Sequence, residues 1–432
     1  MAKNIFVVGL DAFHLNQLTA LNQTGQYCFH PLMSYEEIKC GDTFPVQEFL
    51  EYSHQRLTSF PGTVDAVVGY WDFPVSTVLP LVRRIVGLGG PTLESVLKCE
   101  HKYWSRMLQS EVVPDYIPSF AAIDPFRDDA MEQCDVPYPF WLKPVKSVLS
   151  HLGFLVQDPD TFKTALNATR QNIERYAAPF NYIMDKANLP PEIRGIDGYH
   201  CIAEGLISQG RQCTLEGFVY NGEIHIYGVV DSVRGGQLQT SFTRYQYPST
   251  LPPNVIDRMT IVTSKFLTNT GYDNAPFNIE FYWDEDEDAI SLLEINTRIS
   301  KSHLPLFKMV DGEYHHAVMI DLALGKKPNF PKNKGPFQVA AKFMLRHYED
   351  GLVKKVPNQE DIDRVKHNFP ETEVLISIES GMRLSELRDQ DSYSYDIADI
   401  YMGAKSHKEL LTNYKTALSM LPFNIERNGS GQ

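Results

Sequence analysis

Apolar and polar residues alternate along 277–283 and again along 289–296, on either side of an acidic, turn-prone run at 284–288. The alternation predicts a β-hairpin within PFNIEFYWDEDEDAISLLEINTRIS. A second hairpin is predicted over CTLEGFVYNGEIHIYGVVDS (213–232), where Asn221 and Gly222 are the residue types that a type I′ turn needs between two β-rich arms. KNIFVVGLDAF at the start and DAVVGYWDF (65–73) read as buried strands, with helical stretches such as STVLPLVRRIVG between and after them.

Further along, 90–118 reads as one or two helices and then an extended link with two prolines. PFWLKPV (139–145) reads as a strand, and KSVLSHLGFLV as a loop with a returning strand. A helix is predicted over 158–177, with Asp158 as its cap and Pro159 at the first helical position, where the missing N–H costs nothing. CIAEGLI (201–207) is a strand, 315–325 a helix ended by Gly325, and 336–345 opens a last region of strands and a helix. Ser406 and Glu409 form a capping-box pattern ahead of the helix carrying Leu410, Leu411, Tyr414, Leu418 and Leu421. Alternating strands and helices over roughly 1–95 predict an open α/β sheet. Such sheets bind ligands at the carboxyl ends of their strands, where Asp11, Trp71 and Asp72 fall. Loop residues and helix caps are the plainer account of those three.

Composition narrows the class. A chain of 432 residues holds about two to four domains. With 43% hydrophobic and 22% charged residues it has the make-up of a soluble globular protein. The net charge of −14 disfavours a general nucleic-acid or anionic-membrane binder. Cys28, Cys40, Cys99, Cys134, Cys201 and Cys213 are scattered, without a CxxC pair or metal-ligand spacing, and are expected to be free thiols in a reducing cytoplasm. No apolar run approaches membrane-spanning length. IFVVGL after Lys3 is too short for the apolar core of a signal peptide, so none is expected. The tail NGSGQ (428–432) is expected to be disordered and reads equally as an expression scar.

The first hairpin carries the chemistry. Centred on residue 287, it sets Glu280 directly across from Glu294, and Asn296 shares that face. Opposed like charges are unfavourable without a neutralising cation. Two carboxylates and an amide oxygen are ligands that Mg²⁺ accepts while keeping waters and substrate phosphates. Arg298, two residues on, suits a phosphate or carboxylate. The chain has neither GxxxxGK[ST] nor GxGxxG, so phosphates need other cations. Lys143, ending an apolar strand before Pro144, is one candidate; an edge lysine facing water explains it as well in isolation. Lys98 and Lys102 lie four apart on one helical stretch, as a solvated face also would. Lys146, Ser147, Ser150, His151 and Gly153 make a polar loop able to close over phosphates, or an ordinary turn. Glu204 is placed to accept ribose hydroxyls, Glu216 to wall a polar pocket, and His303 to touch a substrate carboxylate or act as a base, although a lone histidine is more often structural.

Taken together these pieces resemble the ATP-grasp superfamily. An α/β pre-domain, a helix with lysine, a strand ending in Lys-Pro, a flexible loop, a strand with Glu as hinge and Glu…Glu-x-Asn follow in that order over roughly 60–325. FNIEF…LLEINTRIS is most like biotin carboxylase and the related carboxylate–amine ligases. Three departures stand out: a glycine-poor loop after Lys143, His101-Lys102 where Asp-Lys is common, and no paired glycines after Arg298.

The resemblance implies an α/β and α+β chain. It would have an N-terminal open α/β pre-domain (1–110), an ATP-grasp domain (111–330) with a lid subdomain at about 138–207, and a C-terminal α+β domain (331–427). ATP would lie between two α+β subdomains. Lys102 and Lys143 would contact phosphates or the adenine N7. Glu204 would sit at the adenine hinge, with Gly205, Leu206 and Ile207 supplying backbone contacts. Glu280, Glu294 and Asn296 would bind Mg²⁺, with Mn²⁺ as the alternative cation. Arg298 would orient the acyl phosphate or its parent carboxylate. The implied reaction activates a carboxylate as an acyl phosphate, releases ADP and joins the acyl group to an amine, as in amino-acid or peptide ligases. Bicarbonate-dependent carboxylation and a non-catalytic ATP-binding regulatory module are the alternatives. The expected partners are small-molecule carboxylate and amine substrates, with no nucleic acid and no membrane. A homodimer fits the superfamily, with no interface legible in the sequence.

Overall fold

The computed structural model describes residues 2–22, 25–39, 41, 43–148, 151–207, 210–236, 241–388, 390 and 393–427. Ser150, Cys40 and the tail 428–432 lie outside the described residues.

The N-terminal sheet is parallel, in the order β2 (Tyr27–Ser34), β1 (Lys3–Leu10), β3 (Ala66–Val68). Ile5 to Val8 are completely buried at its centre, as the unbroken apolar run requires. Strand β2 has no such run and carries Pro31; it escapes a reading by pattern because an edge strand tolerates both.

A second sheet is antiparallel, in the order β4 (Phe120–Ile123), β7 (Cys201–Gly205), β5 (Phe140–Pro144), β6 (Phe154–Val156). Phe140 and Leu142 are fully buried under the helix Pro159–Asn172, which presents Phe162, Ala165 and Leu166. Alternation therefore turns Trp141 and Lys143 to the opposite face. The Asp158 cap forms as expected, reciprocated by Thr161. The lid unit begins at Phe120, earlier than the expected boundary near 138, because β4 pairs with β7.

The largest sheet has eight strands. It is antiparallel, in the order β12 (Ala289–Asn296), β11 (Ala275–Asp284), β8 (Arg211–Tyr220), β9 (Glu223–Gly235), β10 (Ser241–Tyr247), β13 (Val339–His347), β16 (Tyr395–Ala404), β15 (Glu373–Ile376). Strand β14 (Gly351–Lys355) pairs apart with β17 (Asn424–Arg427). Asn221 and Gly222 both take positive φ at the β8–β9 turn, as the type I′ geometry demands. One face of β8 and β11, with Cys213, Leu215, Ile279 and Phe281, packs on Met259, Val262 and Phe266 of the helix Pro253–Thr270. The other face carries Gln212, Thr214, Glu216, Asn278 and Glu280.

Among the described residues of the expected C-terminal domain (331–427), β14 and β17 form a two-stranded sheet of their own, while β13, β15 and β16 join the central sheet. Strand β13 hydrogen-bonds to β10, so residues 339–404 continue the central sheet. The sequence break at about 331 falls in the connection between the helix His316–Ala323 and β13.

Candidate active site

Glu280 and Glu294 are paired directly across β11 and β12, and Asn278 faces Asn296 two residues on. The geometry has a feature that no symmetric hairpin supplies. Below the pair Phe281 faces Leu292, so the register slips and Leu293 is an extra residue in β12. Without that bulge Glu280 would face Leu293, and the two carboxylates would point to opposite sides of the sheet. Asn296 donates its amide nitrogen to Asn278 Oδ1 at 2.9 Å, which leaves its own oxygen free of that bond. Gln212 donates to Glu280 Oε2 at 2.8 Å.

Burial, and then the neighbouring Glu294, push the Glu280 carboxyl up to about 7. Burial would raise Glu294 also, but Lys102, Lys143 and Lys146 hold it below the usual carboxylate range. Lys102 reaches Glu294 Oε1 at 2.9 Å and the Ser147 carbonyl at 3.2 Å. Arg234 and Arg298 pull Glu280 down without offsetting its burial, and the oxygens of the pair are hard donors of the kind Mg²⁺ takes. Among the described residues no group of three or more His, Cys, Asp or Glu side chains could hold a metal by itself. Two carboxylates and one amide oxygen leave the remaining positions to water and phosphate, so the donor set fits the cation.

The bulge has a clamp. Arg106, buried on the helix Lys102–Val112, donates to the carbonyls of Leu292 at 2.9 Å and Leu293 at 2.8 Å. Its Nε donates to Glu204 Oε1 at 2.6 Å, and Lys143 pairs with the other carboxylate oxygen. Lys143 faces Ile202 in the β5–β7 register, one diagonal step from Glu204 on the same face. Although burial alone would raise it, Arg106 and Lys143 bring Glu204 down to about 2. The expectation that Glu204 offers its carboxylate to ribose hydroxyls is therefore corrected: one oxygen is engaged by the buried Arg106 and the other by the partly buried Lys143. Gly205 donates its N–H to Ser119 at the end of β7, and Leu206 beyond it is exposed.

A third layer fixes the segment after β12. Glu100 accepts from Thr77 (2.7 Å), from Lys146 (2.6 Å) and from the Thr297 hydroxyl. Thr297 is thus turned inward, which leaves Asn296 and Arg298 on the other side. Arg298 donates its Nε to Asp72 Oδ1 at 2.6 Å, with Nη2 on the same oxygen. Asp72 follows β3, so the N-terminal sheet does reach the site through its strand end, as open α/β sheets do. Asp11 is the plainer case, an N-cap that accepts from the His14 N–H.

Glu216 and His303 do not join this cluster as an open pocket wall and a base. Glu216 is completely buried; His303 Nδ1 lies 2.7 Å from its Oε1, and Tyr227 and His315 lie at 3.5 and 3.9 Å from its other oxygen. Burial raises Glu216 to about 7 and lowers His303 to about 3. Their shared hydrogen bond makes them packing partners beneath the site.

The expected common face for Lys98 and Lys102 is also corrected. His101 has extended backbone (φ −80°, ψ 101°) and separates two helices, Leu93–Glu100 and Lys102–Val112. Lys98 turns away to the Thr270 carbonyl. His101 caps the second helix through Nδ1, which accepts from the Trp104 N–H, while Nε2 lies 2.8 Å from the Ile196 carbonyl. This histidine predicts acid sensitivity. Burial lowers it to about 4, so between its unfolded value near 6.5 and pH 4 only the unfolded chain takes up the proton. The stability it confers is present above pH 6.5 and is lost as the pH falls, by about 3 kcal/mol in all. His101→Asn keeps a capping oxygen without titrating. Urea unfolding at pH 7.5 and pH 5 is expected to show a smaller acid loss in the variant, by about 2 kcal/mol; equal losses would refute the assignment.

Residues 136–304 match the family of ATP-grasp domains. The chain carries an ATP-grasp domain. Solved structures with this fold align along nearly the whole chain. The L-amino acid ligase from Bacillus licheniformis is 15% identical with a TM-score of 0.70, over 99% of each chain. A carboxyaminoimidazole ribonucleotide synthase from Aspergillus clavatus, complexed with ATP, is 12% identical with a TM-score of 0.66, over 97% of this chain and 98% of that one. The biotin carboxylase from Campylobacter jejuni is 13% identical with a TM-score of 0.64, over 99% and 93%. No curated protein matches the sequence. At these identities the likeness concerns the ATP-grasp fold. No helix among the described residues is long and apolar enough to cross a membrane.

Arg106, Glu100 and Thr297 are site residues that sequence reading passed over. Arg106 had a signal: it lies four residues after Lys102 and shares its helix face. Glu100 had none, because its partners come from three distant segments.

Proposed function

We propose that the chain is an ADP-forming ligase acting in the cytoplasm on small molecules, converting a carboxylate to an acyl phosphate and joining the acyl group to an amine. The observation that carries this reading is the opposed pair Glu280 and Glu294 beside Asn296, with Lys102, Lys143 and Arg298 gathered around it. When bound there, Mg²⁺ would neutralise charge on the ATP phosphates.

In the first step a substrate carboxylate oxygen bonds to the γ-phosphorus, the bond to the bridging oxygen breaks, and ADP leaves. In the second, the amine nitrogen bonds to the acyl carbon, phosphate departs, and the nitrogen gives up a proton to solvent. Lys102 and Lys143 suit the phosphates, because both ammonium groups already face carboxylates at the centre of the site and add positive charge where negative charge develops. Arg298 suits the reacting carboxylate, since Asp72 already occupies its guanidinium as a carboxylate would. Leu206 and Ile207, just beyond the end of β7, suit the adenine edge. A dimer would be compatible with this chemistry and is not required by it.

The test is ADP and phosphate release by the purified chain with MgATP and a panel of carboxylic acids and amines. Release that needs both an acid and an amine is expected. Tight MgATP binding with no ADP formed from any pair would overturn the ligase reading, and release driven by bicarbonate alone would replace it with carboxylation.

A further inference from the structure

Five cations around the site each have a carboxylate partner: Lys102 with Glu294, Lys143 with Glu204, Lys146 with Glu100, Arg298 with Asp72, and Lys342 with Asp399. Lys301 does not. Among the described residues it has neither a hydrogen bond nor an ion pair; its ammonium lies 4.6 Å from the centre of the Trp71 ring. The side chain is half-buried, in the short turn Lys301–His303 that follows Arg298. Burial, Lys342 and Arg298 lower it to about 8 against the pull of Asp399 and Asp72; Asp11 and Asp396 also feel its charge, and none of the four carboxylates makes an ion pair with it.

An indole face attracts an ammonium but does not neutralise it, and a half-buried cation with no contacting counter-ion is left poorly compensated. The surroundings are rigid rather than adaptable. Trp71 donates Nε1–H to the Gly9 carbonyl at 2.7 Å and stacks on Tyr35 with ring centres 4.2 Å apart. Gly9 has φ +70°, and a Cβ there would come within 2.9 Å of the indole, so the backbone is shaped to seat that ring. On the other side Lys342 donates to Ser302 Oγ at 3.3 Å, and Asp399 keeps one buried oxygen without a partner. The N-terminal strand ends, the turn after Arg298 and strands β13 and β16 therefore meet around one unpaired positive charge.

We infer that this corner binds a second anionic group, distinct from the carboxylate activated beside Arg298, with Lys301 as its counter-ion and Trp71 as its floor. The inference rests on the ligase reading and narrows its substrates. The anion is either a second acidic group on the acid that is phosphorylated or the carboxylate of an amino acid serving as the amine. A simple monocarboxylic acid paired with a simple amine leaves Lys301 unmatched.

The test uses the full chain with MgADP, as wild type and as Lys301→Met, which keeps the length of the stem and removes the charge. One arm compares succinate, glutarate and adipate with their monoamides. The other compares glycine, alanine and phenylalanine with their amides. Thermal midpoints across a concentration series give apparent affinities, and the shift produced by MgATP alone is the control. In wild type at least one acid is expected to bind better than its amide, and Lys301→Met to weaken it by about tenfold to a hundredfold with the MgATP shift retained. The responding arm identifies which substrate carries the anion. A MgATP shift with no preference for any acid over its amide, or the same preference in Lys301→Met, would overturn the inference. A wild type that fails to respond to MgATP would remove the nucleotide reading itself, and the inference with it.

Discussion

Glu294→Gln is expected to abolish ADP formation and to leave the fold intact. The substitution keeps the shape of the side chain and an oxygen for the Lys102 ammonium, which lies 2.9 Å from Oε1. It removes the like charge opposed to Glu280, one of the two causes that push Glu280 up to about 7. The variant loses the ion pair with Lys102 as well as the repulsion with Glu280, so the two effects on the nucleotide-free protein oppose one another and the fold is expected to persist. With nucleotide present the loss of the ligand dominates, because a neutral amide is a far weaker ligand for a hard divalent cation than a carboxylate. Turnover is expected to fall by about a hundredfold or more. A coupled ADP assay and a thermal melt with and without MgATP test both halves. Undiminished turnover would refute the metal assignment; a chain that no longer melts cooperatively without nucleotide would refute the expectation that the fold persists.

Arg106→Met should do the reverse and damage stability and activity together. The guanidinium satisfies Glu204 and the carbonyls of Leu292 and Leu293, and it does so while almost wholly buried. Removing it leaves two buried carbonyls unpaired and Glu204 with Lys143 alone, at a cost of about 3–5 kcal/mol. Relaxation of the bulge at Leu293 would also take Glu294 out of register with Glu280. ADP formation should therefore fall even at temperatures where the variant is folded. Adding Glu204→Gln removes the buried charge that Arg106 had balanced. The double variant should accordingly recover about 1 kcal/mol or more of the urea stability lost by the single one. A loss below 1 kcal/mol in Arg106→Met would show that the clamp is dispensable.

These two residues mark how far the chain could be read without coordinates. Glu280, Glu294 and Asn296 were legible because their relation is local: two short alternating stretches and one turn place them within a few residues of the correct pairing. The same holds for the type I′ turn at Asn221-Gly222, the Asp158 cap and the buried run of β1. Strand β2, the helix Pro253–Thr270 and Arg106 were not legible in this way. An edge strand needs no full apolar pattern, and the worth of an arginine lies in carbonyls nearly two hundred positions away.

Local alternation and order along the chain were enough to specify the hairpin, the strand bearing Lys143 and the succession of parts that resembles an ATP-grasp ligase. Only packing decided the rest. It placed the extra residue Leu293 in β12, which reconciles the observed turn register with the pairing of the two glutamates. It engaged the Glu204 carboxylate in an ion triad with Arg106 and Lys143, and it withdrew Glu216 and His303 into a buried hydrogen-bonded pair on the face of the sheet that carries Glu280. It also continued the central sheet through residues 339–404 and left Lys301 without a counter-ion. The division has one cause. Periodicity and turn chemistry act over a few residues and are written in the sequence, whereas the pairing of a buried charge depends on which distant segment arrives beside it.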